Sequence, residues 1–73
     1  MMTLADAKQG EIVTVTKVNG DGTIKQRLLD MGIMKGSVIK IERYAPLKDP
    51  IQISVKGYSL AIRVSEGKMI EVA

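Results

Sequence analysis

An alternating run in the second half of the chain places the strongest constraint on its fold. Residues 51–55 alternate apolar and polar side chains, Lys56 and Gly57 suit a two-residue turn, and residues 58–64 alternate again. A turn of this length sets three apolar cross-strand pairs: Val55 with Tyr58, Ile53 with Leu60, and Ile51 with Ile62. All six side chains then share one face of the ladder. The turn chemistry and the hydrophobic pattern independently predict the same β-hairpin.

Three further strands are predicted from composition. Residues 11–18 are dominated by β-branched side chains, which suit a pleated and half-buried surface. Residues 37–44 have a similar composition and follow a tight turn at Gly36, and residues 69–72 give a brief last strand. Together with the hairpin, these segments predict about five strands.

One short helix is predicted between the first two strands. Thr23 and Gln26 have the spacing of a capping box, and Gly32 suits the left-handed position that ends a helix. The predicted span is 23–31. Its apolar stripe consists of Ile24, Leu28 and Met31.

Two single helical turns are also predicted. Thr3 and Asp6 resemble an abbreviated capping box, so a turn near the start should close one end of the core. Ser65 is the expected cap of a second turn after the hairpin. The chain is therefore predicted to be a single all-β domain, residues 1–73, forming a small, partly open, SH3-like barrel. An OB-like barrel has a similar strand count, but its helix usually lies between the third and fourth strands, where this chain has its tightest turn.

Composition excludes most catalytic chemistry. The chain of 73 residues contains no Cys and no His, which removes disulfides, thiol nucleophiles and histidine-based metal sites. We expect no catalytic residues, no cofactor and no tight metal site, and therefore a binding protein rather than an enzyme. No segment has the length of a membrane span and no secretory signal is visible, so a cytoplasmic location is expected.

The charge pattern does not favour a nucleic-acid partner. Eleven basic residues against eight acidic ones give a net charge of +3, with the two signs interspersed along the chain. Two Tyr are the only aromatic residues, so there is little to stack on bases. A nucleic-acid-associated or ribosome-associated barrel stays open as the alternative function.

A candidate binding surface lies around the helix. Leu29 is about 140° from Ile24 on the helical wheel at roughly 100° per residue, so it points away from the buried stripe. Met34 should likewise face opposite its neighbour Ile33. The predicted partner-binding residues are Arg27, Leu29, Met34, Lys35, Pro46 and Leu47. Exposed apolar patches of this kind commonly bind partners. The alternative is that Leu29 packs under the Pro46–Pro50 loop as an extension of the core.

The run Arg-Leu-Leu-Asp-Met-Gly-Ile-Met-Lys-Gly at residues 27–36 resembles the FeoA family, the ferrous iron transport protein A family. The resemblance extends to Leu4 and Gly10, to the hairpin sequence Gly-Tyr-Ser-Leu-Ala-Ile-Arg at 57–63, and to the final strand. The family is similar to the SH3-like domains appended to iron-dependent repressors of the diphtheria-toxin-repressor type. The resemblance implies a small cytosolic accessory of bacterial ferrous iron uptake that binds and modulates the FeoB-type GTPase permease, with catalysis belonging to that partner.

Overall fold

A computed structural model of the protein describes residues 2–46 and 49–73. The elements are a 3₁₀ turn Leu4–Asp6, β1 Ile12–Val18, α1 Gly22–Asp30, β2 Val38–Tyr44, β3 Ile51–Val55, β4 Tyr58–Ile62, α2 Val64–Gly67 and β5 Ile70–Val72. All five strands join one antiparallel sheet in the order β4-β3-β2-β1-β5. The prediction of an all-β domain with one short helix between the first two strands is confirmed.

The β3–β4 hairpin has the register that its sequence predicts. Val55 lies opposite Tyr58, and the pairing continues to Ile51 opposite Ile62. Lys56 and Gly57 have φ angles of 51° and 83°, as a type I′ turn requires. Tyr58 nevertheless stays 72% exposed, because it lies at the turn end of a strand that forms the edge of the sheet.

The core lies between the inner face of this sheet, α1 and the two short helical turns. Its buried apolar side chains are Leu4, Ala7, Val13, Val15, Leu28, Ile33, Ile39, Ile41, Ile51, Ile53, Val55, Ile62, Ile70 and Val72. Ile and Val dominate this list, which agrees with the preference of β-branched side chains for packed sheets. Leu4 in the 3₁₀ turn is fully buried, so this turn closes one end of the core as predicted.

Two predicted caps are wrong. The N-cap of α1 is Asp21, so Thr23 lies inside the helix and cannot cap it, and the side-chain amide of Gln26 instead donates to Asp30 at 2.9 Å. The N-cap of α2 is Arg63 rather than Ser65, and the Glu66 carboxylate accepts a hydrogen bond from the Arg63 backbone N–H at 2.9 Å. In both cases the helix begins earlier in the chain than the predicted cap.

The cap of the first turn is confirmed. The Asp6 carboxylate accepts hydrogen bonds from the Thr3 backbone N–H at 2.9 Å and from the Thr3 hydroxyl at 3.1 Å.

Within the described residues, none of the helices is long and apolar enough to cross a membrane.

Candidate functional site

A shallow groove of about 290 Å³ lies between α1, the segment after it and the second half of β1. We call it the α1 groove, and it is lined by Thr16, Lys17, Val18, Lys25, Leu29, Met34 and Lys35. Leu29 is 37% exposed and Met34 is 40% exposed, so both apolar side chains are accessible in the free protein. Leu29 is not among the buried core residues, and the described residues of the Pro46–Pro50 loop, which are 46, 49 and 50, do not line the groove.

The position of Leu29 follows from the packing of α1. Leu28 is fully buried, and Ile24 and Met31 are partly buried against the core, which fixes the inward face of the helix. Successive residues on a helix are rotated by about 100°, so Leu29 is turned away from this face. The same helix turn that stabilises the core therefore presents Leu29 to solvent.

The segment after α1 turns Met34 toward the same groove. Gly32 has a φ of 85°, which ends the helix, and the Ile33 N–H bonds back to the Leu28 carbonyl at 2.9 Å. The buried Ser37 hydroxyl donates to the Gly32 carbonyl at 3.0 Å and accepts from the Met34 N–H at 3.1 Å. Ile33 is then fully buried while Met34 is directed outward. These hydrogen bonds hold the Met34 backbone in one place.

A β-bulge in β1 completes the groove. The pairing of β1 with β5 shifts register between Val15 and Lys17, so Thr16 is the extra residue. A bulge reorients the side chains that follow it, and here Lys17 remains exposed while Val18 packs against the core. Thr16, Lys17 and Val18 were not predicted from the sequence as part of the binding surface. A signal was present, because simple alternation after Val13 and Val15 would direct the charged Lys17 into the core.

The α1 groove is basic at its rim. Among the residues that the structure describes, Lys17, Lys25 and Lys35 line it and no acidic residue does. All three lysines are exposed. Apolar side chains on the floor and ammonium groups around them suit an apolar segment that also carries acidic residues.

Arg27, the first of the predicted partner-binding residues, does not line this groove. Its Nη1 atom lies 2.5 Å from Oε2 of Glu66, while the other Glu66 oxygen caps α2. Glu66 is only 5% exposed, whereas the Arg27 side chain is 55% exposed. Arg27 therefore ties α1 to α2 on a different face of the helix, and Lys17 and Lys25 provide the basic groups near Leu29.

Of the two residues predicted from the Pro46–Pro50 loop, only Pro46 lies among the described residues, and it does not line the α1 groove. Pro46 lines a separate hollow of about 400 Å³ with Arg43, Tyr44, Ala45, Pro50 and Gln52. Leu47 lies outside the described residues. Of the six predicted partner-binding residues, Leu29, Met34 and Lys35 come together.

Titratable groups with shifted pKa values belong to the framework around the first turn. Hydrogen bonds from Thr3 lower the pKa of the Asp6 carboxyl. Burial, followed by the charges of Asp6 and Glu11, raises the pKa of the Tyr44 phenol, whose hydroxyl donates to the Ala7 carbonyl. Within residues 2–46 and 49–73, no three His, Cys, Asp or Glu side chains are grouped so as to hold a metal ion.

Known proteins share both sequence and structure with this chain. An Fe(2+) transport protein A/Fe(2+) transporter FeoB fusion protein of Porphyromonas gingivalis is 31% identical over 71 residues, which cover 97% of this chain and 8% of the fusion protein. A protein of Methanocaldococcus jannaschii assigned as Fe(2+) transport protein A is 44% identical over 62 residues, which cover 85% of this chain and 73% of that protein.

Solved structures give the same result for the fold. An FeoA-like protein from Clostridium acetobutylicum is 36% identical, with a TM-score of 0.92 over 99% of this chain and 84% of that one. FeoA from Stenotrophomonas maltophilia, described as an SH3 domain protein and solved with zinc, is 26% identical, with a TM-score of 0.82 over 100% of this chain and 91% of that one. The SH3-like prediction is confirmed.

The predicted likeness to repressor domains is confirmed at the level of the fold. A manganese-dependent transcriptional repressor is 14% identical, with a TM-score of 0.85 over 94% of this chain and 39% of that one. The family model of the FeoA domain matches residues 2–73. The chain belongs to the FeoA family.

Proposed function

We propose that this protein is an accessory of ferrous iron transport and that its α1 groove binds a cytosolic segment of an FeoB-type permease. The observation that carries the proposal is the exposure of Leu29 and Met34, side by side, on a backbone held by the core and by Ser37. GTP hydrolysis and ion passage would belong to the permease, and this chain would supply a rigid docking surface.

Membership in the FeoA family and the fusion protein of Porphyromonas gingivalis support FeoB as the partner. In the fusion protein, one polypeptide carries both names, so the two parts are held at high effective concentration. A domain that works while tethered to a permease needs little intrinsic affinity. A small docking groove is therefore compatible with this role.

The apolar and the basic side chains of the groove have different roles in binding: the apolar ones supply affinity, and the basic ones set orientation. Burial of the Leu29 and Met34 side chains against the partner supplies most of the favourable free energy of binding, at roughly 25 cal/mol per Å² of apolar surface buried. The exposed lysines act mainly on the rate and orientation of encounter, because exposed charges contribute little to final affinity. A standard interface engages about 20–30 residues on each side, and the groove is lined by far fewer, so the contact should be transient.

A double variant tests the site. Leu29→Glu/Met34→Glu places two carboxylates on the apolar floor and should weaken binding to the isolated cytosolic domain of the cognate FeoB by at least tenfold in isothermal titration calorimetry. Its matched control is Ile12→Glu/Val38→Glu, which adds the same charge at two apolar residues that are 67% and 57% exposed on the outer face of β1 and β2.

The control variant should bind as the wild type does. Unchanged binding by the Leu29/Met34 variant, or an equal loss in both variants, would rule out the α1 groove as the docking site. Circular dichroism on both variants checks that each remains folded.

The three lysines of the groove favour one alternative, which is binding of a nucleic acid. Such binding releases counterions and should weaken steeply when salt is raised from about 50 to about 200 mM. A contact dominated by Leu29 and Met34 should weaken far less over the same range. A salt series with the FeoB domain and with a short single-stranded RNA separates the two functions.

A further inference from the structure

The two edges of the sheet differ in how they are covered. At the β5 edge, Thr3 forms a bridge with Glu71, and the Val72 N–H donates to the Met2 carbonyl at 3.0 Å. The β4 edge has no such neighbour among residues 2–46 and 49–73, since β4 pairs only with β3. Within residues 2–46 and 49–73, the chain therefore covers one edge with its own first residues and leaves the other open.

The open edge presents backbone groups at regular spacing. In an antiparallel ladder, hydrogen-bonded pairs alternate with pairs whose N–H and C=O groups point away from each other. The Val55–Tyr58 pair closes the two-residue turn and is hydrogen-bonded, so Ser59 and Ala61 direct their backbone groups outward. Neither residue forms a further backbone hydrogen bond within the described part of the chain.

None of the usual features that protect an edge strand occurs in β4. Residues 58–62 contain no charged residue and no proline, and the β3–β4 register continues without a bulge. Native proteins generally blunt an exposed edge with one of these features. An uncharged five-residue edge is therefore a surface on which another strand can pair.

The edge is self-complementary. A two-fold axis through Leu60 places Ser59 of one copy opposite Ala61 of the other, and the outward N–H and C=O groups of both residues then form four hydrogen bonds. The same register places Tyr58, 72% exposed in the monomer, opposite Ile62 of the second copy. Aromatic and β-branched residues are favourable cross-strand partners.

The charges beside the edge are also complementary in this register. On the outer face, the Ser59 hydroxyl donates to the Glu42 carboxylate at 2.9 Å. Arg63 continues β4 in extended conformation with φ −75° and ψ 149°, and its side chain is exposed. The two-fold axis brings Arg63 of one copy opposite Gly57 of the other, diagonal to Ser59 and therefore next to Glu42. Two symmetry-related pairs of opposite charge result.

From these observations we propose that two copies of this chain associate through antiparallel β4–β4 pairing, which joins their sheets. The paired strands are short, so the contact buries much less than the roughly 1,200–2,000 Å² of a stable dimer. Association is therefore weak, with a dissociation constant on the order of 1 mM. The α1 groove is lined by other elements and stays accessible in the dimer, so two copies could present two grooves to a partner.

Sedimentation equilibrium and amide hydrogen exchange test the pairing over a protein concentration from about 10 µM to about 2 mM. The apparent mass should rise with concentration toward that of a dimer. Exchange of the Ser59 and Ala61 amides should slow over the same range, whereas exchange of the α1 amides around Lys25 should not change. Ala61→Pro removes one outward N–H and should lower the association constant at least tenfold. Ala61→Ser keeps this N–H and is the matched control.

A charge exchange keeps the proposal testable if Ala61→Pro fails to fold. Arg63→Glu should weaken association, and adding Glu42→Arg should restore it. A wild-type chain that remains monomeric at about 2 mM overturns the proposal. So does a concentration-dependent slowing of exchange that is located at the α1 groove rather than at Ser59 and Ala61.

Discussion

Two pairs of neighbouring residues show how this small domain separates stability from binding. Leu28 and Ile33 are fully buried, while Leu29 and Met34, each the next residue along the chain, are 37% and 40% exposed. We call them the inner pair and the outer pair. The four side chains are similar in size and hydrophobicity, so composition does not distinguish them. Their position relative to α1 and to the turn at Gly32 does.

The difference indicates that the outer pair is rigid because the inner pair is packed. Leu29 shares a helical turn with Leu28, and Met34 is joined to the Leu28 carbonyl through the hydrogen-bonded Ile33 N–H. A binding surface built in this way loses little conformational entropy on association, since its backbone is already fixed. Mutations in the inner pair should therefore act mainly on stability, and mutations in the outer pair mainly on binding.

Truncation of the inner pair should have the largest effect on stability. Leu28→Ala and Ile33→Ala should each lower the free energy of unfolding by about 2–5 kcal/mol, because both leave a cavity in the core. Leu29→Ala and Met34→Ala remove exposed groups and should cost about 0.5 kcal/mol or less. Urea unfolding at neutral pH measures all four. Equal losses from the two pairs would show that the outer pair is part of the core.

The Arg27–Glu66 ion pair should give the next largest effect. Within the described part of the chain, Arg27→Ala leaves the buried Glu66 carboxylate with the Arg63 N–H as its remaining partner, and it should lower stability by about 1–2 kcal/mol. The loss is limited because the Arg27 side chain is 55% exposed. Arg27→Ala/Glu66→Gln removes the unpaired charge and should be more stable than Arg27→Ala alone.

Arg27→Ala also tests whether a loss of stability alone weakens binding by the outer pair. Arg27 lies on a different face of α1 from the groove, so Arg27→Ala should leave binding to the FeoB domain within about twofold of the wild type. A large loss of binding without a matching loss of stability would return Arg27 to the docking surface.

Substitution of Gly32 in the turn after α1 should have a smaller effect on stability. A Cβ at this position would meet only the Lys56 side chain, at 3.9 Å, so the cost of Gly32→Ala comes from its φ of 85° and should be about 1 kcal/mol. Gly10→Ala is a matched control, with a φ of 90° and no atom within 4 Å of the added Cβ. Both should lower the urea midpoint similarly, but only Gly32→Ala should also weaken binding, because it alone shifts Met34.

The regular parts of the molecule could be predicted from the sequence because they rest on local patterns. The β3–β4 register follows from a two-residue turn flanked by alternating side chains. The exposure of Leu29 follows from helical geometry, and that of Met34 from the extended segment after Gly32. In each case one short stretch of chain contains all the information.

Two of the features that were not predicted from the sequence depend on contacts between elements that are distant in the chain. Arg27 and Glu66 are separated by 39 positions, and nothing in either local sequence indicates that they meet. The bulge at Thr16 arises where β1 passes from pairing with β2 to pairing with β5. The cap of α1 was missed for a local reason: Asp21 caps the helix directly before Gly22, which has a φ of 44°, so the helix starts earlier than the Thr23–Gln26 spacing suggests.

The smallest predicted effect is on the pH dependence of thermal stability, and it distinguishes Asp6 in the first turn from the outer pair. Hydrogen bonds from Thr3 lower the pKa of Asp6, so folding favours its charged form. A lowered folded pKa adds stability that is fully present above the unfolded value of about 3.9 and is lost as pH falls through the folded value. Asp6→Asn should therefore lower Tm at pH 6, and its curve of Tm against pH should converge with that of the wild type toward pH 2.

The Leu29→Ala/Met34→Ala variant is the control and should keep the wild-type dependence of Tm on pH, since neither side chain titrates. Curves for Asp6→Asn and the wild type that stay parallel down to pH 2 would show that Asp6 stabilises the first turn by something other than its charge.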